Sequence, residues 1–185
     1  MKKQILKTSV LAAMFLGMGA AHAAGIGDSA SMVVSGSVGV ATCAVVIDKT
    51  DIKLDPAVKA DFATAGALVK PQDFSVSLTG CTAEHDQAGN MKQNVDLQIT
   101  GTQTMDGDGY FGKSGAPAGS LAVGLVAKGK TILLKQNEKV GFANTGDSFA
   151  NAKKEFTVGL VAKDPNTVNA GKSVSVPLTF QLVTR

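Results

Sequence analysis

Tryptophan is absent from the sequence, tyrosine occurs once, and cysteine and histidine occur twice each. One histidine, His22, falls in a segment read below as a leader, which leaves His85 as the sole mature histidine. One imidazole and two thiols give a metal site few soft ligands to draw on. They also exclude the histidine-rich centre of a copper–zinc dismutase. Without tryptophan, an antibody-like domain is disfavoured, because there an indole packs on the inter-sheet disulfide. A G-x-S-x-G elbow or any other setting for a nucleophile is also missing, so no catalytic residue is proposed and the chain reads as a non-enzyme.

Long hydrophobic runs are equally scarce. The single one stretches from Val10 through Leu16 to Ala20, after Lys2, Lys3 and Lys7 and before Ala21-His22-Ala23. A positive start, a short apolar core and a small-x-small site describe a secretory signal peptide over residues 1–23, cleaved after Ala23. A membrane anchor is the competing reading, but the run is short for a bilayer span. Loss of this leader changes the charge. The whole chain has 18 basic and 15 acidic residues, and the leader takes away three lysines, so 162 residues with equal numbers of each sign remain. A balanced surface offers no basic patch for nucleic acid and little of the self-repulsion that keeps copies apart. That length suits one domain. Export places Cys43 and Cys81 in an oxidising compartment, where one disulfide is the default and two free thiols or a metal pair the alternative.

What the mature chain does have is small residues, glycine-rich turns and hydrophobic alternation of period two, which favour strands. Residues 26–34 put Ile26, Ala30, Met32 and Val34 on one face, interrupted by Asp28. Strands are predicted at Cys43–Ile47, at Ile52 and Leu54 up to Pro56, at Phe74, Val76 and Leu78, and at Val95, Leu97 and Ile99. Further strands follow at Leu121, Val123, Leu125 and Ala127, with a hairpin through Lys128-Gly129-Lys130 back to Ile132 and Leu134. Val140 and Phe142 form a short strand, and Phe156, Val158, Leu160 and Ala162 a longer one. The terminal strand alternates most clearly: Val174, Val176, Leu178, Phe180 and Leu182 against Ser173, Ser175, Pro177, Thr179 and Gln181. Pro177 has no N–H to donate, so its side of that strand is an edge or unpaired at that point. Residues 57–72, 82–93, 101–119 and 143–152 read as connections. The class is all-β, an immunoglobulin-like Greek-key sandwich.

Three local patterns fit known sites poorly. Gly107–Ser114 matches G-x-x-x-x-G-K-[ST], but Gly115, Pro117 and Gly119 follow where a phosphate-binding helix is required, so a surface loop is expected. Asp106-Gly107-Asp108-Gly109 lacks the further ligands of a calcium loop. Glu84-His85-Asp86 sits in a polar connection.

In four features the sequence resembles type 1-like pilins of the bacterial chaperone–usher pathway. They are the alternating N-terminal extension with Gly36 ahead of Cys43-Ala44-Val45, and Asp73-Phe74-Ser75-Val76-Ser77-Leu78-Thr79-Gly80-Cys81. A glycine-rich middle with its hairpin comes next, then Ala170-Gly171 before the terminal strand. The chain departs from that family at Thr184, where a tyrosine is usual, and near Ser29 and Ala30, where the extension favours glycine. The resemblance implies an incomplete immunoglobulin-like sandwich, completed by donor-strand exchange. Residues 24–35 would be the donor extension and 36–185 the pilin domain, with Val174, Val176, Leu178, Phe180 and Leu182 flanking the groove. It also implies a homopolymer with neighbouring pilin subunits, a periplasmic chaperone, an outer-membrane usher, a host receptor for an adhesive fimbria, and a place at the cell surface. No cofactor or metal is implied, and the expected rank of major shaft subunit comes from length and the extension.

A sandwich short of one strand exposes backbone groups and apolar side chains together, and a strand supplied from another chain satisfies both. The larger apolar residues of 26–34 would each contribute about 1.5–3 kcal/mol when buried, less the cost of ordering the segment. Periodicity alone fits equally well with residues 26–34 as the ordinary first strand of a complete sandwich, such as a stand-alone exported carbohydrate-binding module.

Overall fold

The structure, a computed structural model, describes residues 28–36, 43–80, 86–107, 109–117, 119–169 and 171–185. Among them are nine strands: β1 (Asp28–Gly36), β2 (Ala44–Ile47), β3 (Asp51–Ala57), β4 (Val69–Thr79), β5 (Val95–Gly101), β6 (Ala122–Ala127), β7 (Lys139–Ala143), β8 (Lys153–Val161) and β9 (Ser175–Thr184). Helical structure among the described residues is limited to three 3-10 turns, at Lys59–Asp61, Phe149–Asn151 and Pro165–Thr167. The third is capped by Asp164, whose carboxylate accepts from the Asn166 N–H at 2.9 Å.

The strands form two sheets, ordered β3-β1-β9-β5-β7 and β2-β4-β8-β6. Every pairing is antiparallel except β1 with β9, which run parallel. The alternating faces read from the sequence close on each other as the core of this immunoglobulin-like sandwich. Phe74 of β4, Phe156 of β8 and Phe180 of β9 meet with ring centroids 5.3–5.7 Å apart. Phe156 and Phe180 are wholly buried, and offset or edge contacts of this kind add to the gain from burial.

One stretch of chain serves both sheets. Ile47 pairs with Val76 in the four-stranded sheet, and Asp51, four residues on, pairs with Val33 in the other. Asp48 holds the corner. Its carboxylate accepts from the Ser75 N–H (2.8 Å) and Oγ (2.9 Å), and its own N–H donates to the Ser75 carbonyl (3.1 Å). Burial pushes this carboxyl up, but the two Ser75 bonds and the nearby Lys49 and Lys153 outweigh it, so its pKa lies below the usual value.

The structure departs from the sequence reading in four places. β4 begins at Val69, inside the predicted 57–72 connection. Its register shifts between Val69 and Gln72 around Lys70, which has φ of 50°, and Pro71, and such a bulge erases the alternation. The Lys128–Lys130 turn forms, with Lys130 N–H to the Ala127 carbonyl at 2.9 Å, but no strand returns from it. Ile132 is 78% exposed, while Leu134 folds back to donate its N–H to Leu125 at 2.7 Å. β6 is buried on both faces, because Leu68 and Leu133 lie over Gly124, where an added Cβ would come within 2.8 Å of each. Finally, Phe111, in the stretch expected to be a surface loop, is completely buried. It exchanges backbone hydrogen bonds with Val123 at 2.9 and 2.7 Å.

Candidate functional site

The N-terminal segment and the terminal strand, singled out separately in the sequence, are neighbours. β1 lies in the interior of the five-stranded sheet, between β3 and β9. On one side Ala30 is in register with Leu54 and Met32 with Ile52; on the other, Met32 is in register with Val176 and Val34 with Leu178. All four of these partners are buried, at 2% exposure or less. The positions read as one apolar face are therefore those in register with the buried rows of both neighbours. Asp28 follows a register shift and stands opposite Ala57, and Ile26 lies outside the described residues. In this chain the slot beside β9 is filled by the chain's own segment, and filled in parallel.

β9 carries four of the five alternating residues read from the sequence, Val176, Leu178, Phe180 and Leu182. Val176, Leu178 and Phe180 are fully buried, Val174 lies just ahead of the strand, and Leu182 is half-buried. Pro177 is in register with Val33 on the β1 side, and the β5 ladder ends one residue short of it, at Leu178 opposite Gly101. Its missing N–H thus falls where the β5 side has no ladder partner, as its chemistry requires. Pro56 likewise sits on β3, the edge strand of its sheet. The far end of β9 is tethered. The Arg185 guanidinium donates to the Asp96 carboxylate on β5 at 2.7 and 2.9 Å, and the Arg185 N–H donates to the Asn94 carbonyl at 3.1 Å. Asp96 is 6% exposed, so this pair neutralises a buried charge, one residue beyond Thr184, where the resemblance led to an aromatic residue.

At the opposite end of β9, where β1 also begins, the loops form a cavity of about 940 Å3. Leu121, Val174 and Pro177 supply apolar lining, and Lys113, Thr167 and Lys172 polar lining. Its wall is held by Asp106, 8% exposed, whose two carboxylate oxygens both accept from the Gly119 N–H at 2.9 Å. Thr167 Oγ donates within the same cluster to the Gly119 carbonyl at 2.6 Å. Gly119 has φ of 78°, and a Cβ there would lie 2.3 Å from Thr167 Oγ, so only glycine fits.

The remaining sequence candidates find structural uses. The amides of Phe111 and Gly112, inside the phosphate-loop-like pattern, are spent on the Val123 and Thr102 carbonyls. Asp106 is occupied with Gly119, and Asp108 lies outside the described residues, as do Cys81, Glu84 and His85. Asp86 caps its own turn, accepting from the Ala88 and Asn90 N–H groups. Among the described residues no cluster of three or more His, Cys, Asp or Glu could hold a metal ion, and no helix is long and apolar enough to cross a membrane.

The family model described as "Fimbrial protein" matches residues 32–174, most of the chain. The chain belongs to the fimbrial protein family. It is thus a structural, non-enzymatic subunit of a surface fimbrium. No curated protein sequence matches it at a significant level. Among solved structures it is similar to the P pilus rod subunit PapA, with a TM-score of 0.56 and 20% identity. That match covers 78% of this chain and 100% of the other, and at this identity it speaks to the shared pilin fold.

Proposed function

We propose that this fimbrial subunit polymerises by donor-strand exchange and builds the shaft of an adhesive fimbria. Residues 1–23 direct export, residues 24–35 are the segment lent to the next subunit, and 36–185 are the receiving domain. A periplasmic chaperone holds the domain before an outer-membrane usher adds it to the fibre. A Cys43–Cys81 disulfide ties the first strand of the four-stranded sheet to the end of β4; Cys43 is in a disulfide, and the chain has two cysteines.

One observation carries this reading: among the described residues β3 is joined to the rest of its sheet only through β1. Withdrawal of β1 would open the backbone of β9 and β3 and uncover Ile52, Leu54, Val176, Leu178 and Phe180 together. That is the surface a strand from another chain completes. Deletion of residues 24–35 should abolish polymers, seen by electron microscopy, and leave chaperone binding intact. Fibres of normal length from the deleted chain would refute the proposal.

A second reading has its own support. Since β1 fills the slot within its own chain, the protein could be a closed module that binds ligands as a monomer. A purified chain that stays monomeric in the presence of chaperone and usher would favour this reading over the first.

A further inference from the structure

Lys113 and Ser114 close the Gly107–Ser114 pattern, and nothing in fibre building takes them up. Both line the cavity at the start of β9, and so does Lys172, from the connection between β8 and β9. The two lysine-bearing loops meet. Gly112 packs against Val174 so closely that an added Cβ would lie 3.5 Å from the Val174 Cγ2. Lys113 follows Gly112 directly, and Lys172 comes just ahead of Val174.

The cavity is cationic. No Asp or Glu is among its described lining residues. Asp106, in its wall, has both carboxylate oxygens turned to the Gly119 N–H. Lys113 and Lys172 are exposed, and neither ammonium has a hydrogen-bond or ion-pair partner among the described residues. By contrast, Lys163 is spent on the Asp106 carbonyl at 3.2 Å. The loop that carries Lys113 is also held in place. Ala116 N–H donates to the Lys113 carbonyl at 3.0 Å, Met105 N–H to the Ala116 carbonyl at 3.0 Å, and Gly112 N–H to the Thr102 carbonyl at 2.8 Å. A site fixed before its ligand arrives loses less to ordering on binding.

The rest of the lining says what kind of anion fits. At about 940 Å3 the cavity is far larger than a bare ion needs and falls within the range of small-molecule sites, about 300–1,000 Å3. Hydroxyl side chains such as Ser114 and Ser173 stand beside the apolar Leu121, Val174 and Pro177. Hydroxyls both donate and accept, so they suit the hydroxyls of a sugar ring, while the apolar residues suit its C–H face. No aromatic side chain is among the described lining residues, which disfavours a nucleobase held by stacking. The amides of a phosphate-binding loop are not free here either, so the positive charge comes from the two side chains, each a compact ammonium with three donors.

We infer that this cavity binds an acidic carbohydrate, with Lys113 and Lys172 holding its carboxylate or sulfate and the hydroxyl and apolar lining holding its ring. The inference deepens the adhesive role proposed above by naming the chemical class of the receptor, and it is independent of donor-strand exchange.

Titration calorimetry on the full chain, exported with its own leader, tests it. The probes are sialyllactose and a sulfated galactose, their neutral counterparts lactose and galactose, inorganic sulfate, and a hexaglutamate peptide. At least one acidic sugar should bind about tenfold more tightly than its neutral counterpart, the size of one charge-assisted hydrogen bond. Which of the two does so separates carboxylate from sulfate. Equal binding of the neutral sugars would overturn the inference. So would inorganic sulfate or hexaglutamate binding as tightly as the acidic sugars, the first leaving an ion site and the second a peptide site. Lys113→Gln and Lys172→Gln should each weaken the acidic sugar about tenfold, while Lys130→Gln, in the turn at the far end of β6 from Leu121, should leave it unchanged. An equal loss with Lys130→Gln would mean diffuse attraction and would overturn the site. Ser173→Trp keeps both ammonium groups but fills the cavity, and it should abolish binding; a folded Ser173→Trp chain that binds like the parent would overturn the site, and if it does not fold the lysine variants decide. No binding of either acidic sugar by the parent would overturn the inference and leave fibre assembly as proposed. Loss of fibres with sugar binding intact would remove the assembly role instead.

Discussion

β8 and β1 occupy equivalent places, each an interior strand that joins one neighbour to the rest of its sheet. They differ in almost everything else. β8 is antiparallel to both neighbours, with six register partners on β6 and a ladder to β4 broken only at the Lys70 bulge. It carries Phe156, Val158 and Leu160, all essentially without exposure, and its polar Thr157 hydrogen-bonds Asp73 at 2.6 Å. β1 is parallel to one neighbour, shifts register against the other, and is written mainly in Ser, Ala, Val and Gly. A strand's central position therefore does not make it a fixed part of the fold. For β8, fixity comes from the volume it buries and from antiparallel ladders on both sides.

The strongest way to break this comparison is at Phe156. Phe156→Ala would remove one of three rings in mutual contact and leave a cavity among Phe74, Phe180 and their neighbours. The expected cost is about 3–5 kcal/mol, read as a lower urea midpoint with an unchanged slope. Nothing supplied in solution should restore it. The corresponding experiment on β1 should end differently. A chain without residues 24–36 should lose stability, and a synthetic peptide of those residues should give it back, by about 2.7 kcal/mol at a hundredfold excess over its Kd. A deleted chain as stable as the parent, or one the peptide leaves unchanged, would erase the distinction between the two strands.

Much of this contrast could be read in the sequence, but not its geometry. Val174, Val176, Leu178, Phe180 and Leu182 announced β9 because a strand buried on one face must alternate. The same rule located β1 and its face. It could not give the direction of β1, since a period of two is identical in both directions, nor whether the slot is filled from within the chain. β4 was read too short because the Lys70–Pro71 bulge breaks its alternation. Phe111 and Met91 were missed because each is a single buried residue in a glycine-rich or polar connection, held by isolated bridges or turn hydrogen bonds rather than by a periodic strand. The Arg185–Asp96 tether joins positions 89 residues apart and leaves no local pattern.

A smaller effect tests to which region the cavity loops belong. They lie where β1 enters the sheet, yet Thr167, which supports Gly119, follows β8 in sequence. Asp106→Ala would leave the Gly119 N–H without its acceptor and should cost about 1–3 kcal/mol, measured by thermal or urea unfolding. If the loops are part of the fixed half, spontaneous assembly of the folded variant should keep the parent's rate. Faster assembly would instead tie these loops to retention of β1.

The smallest effects come from exposed carboxylates, of which Asp73 and Asp48 bond within the sheet that holds β8. Asp73 is held below the usual range by Lys128, whose ammonium bonds one oxygen, and then by the Thr157 hydroxyl on the other. Asp61 is lowered by the Val58 N–H and then by Lys70, and Asp48, at the corner that pairs with β4, by Ser75 against its own burial. A carboxyl whose folded pKa lies below its unfolded value of 3.8 gives its full stabilisation above that value and loses it as pH falls through the lower, folded one. Stability should thus be level down to about pH 4 and decline below it. Asp73→Asn should flatten part of that decline. Lys128→Ala at neutral pH should cost less than about 1 kcal/mol, because the pair is half-exposed and screened. Hydrogen exchange through the same acid titration locates the loosening: β4 and β8 amides should lose protection with Asp73, while the exchange of β1, which carries none of these carboxylates, keeps its neutral-pH rank. Earlier loss at β1 than at β8 over this range would mean that the acid-sensitive contacts support the slot, and would reverse the assignment of the two regions.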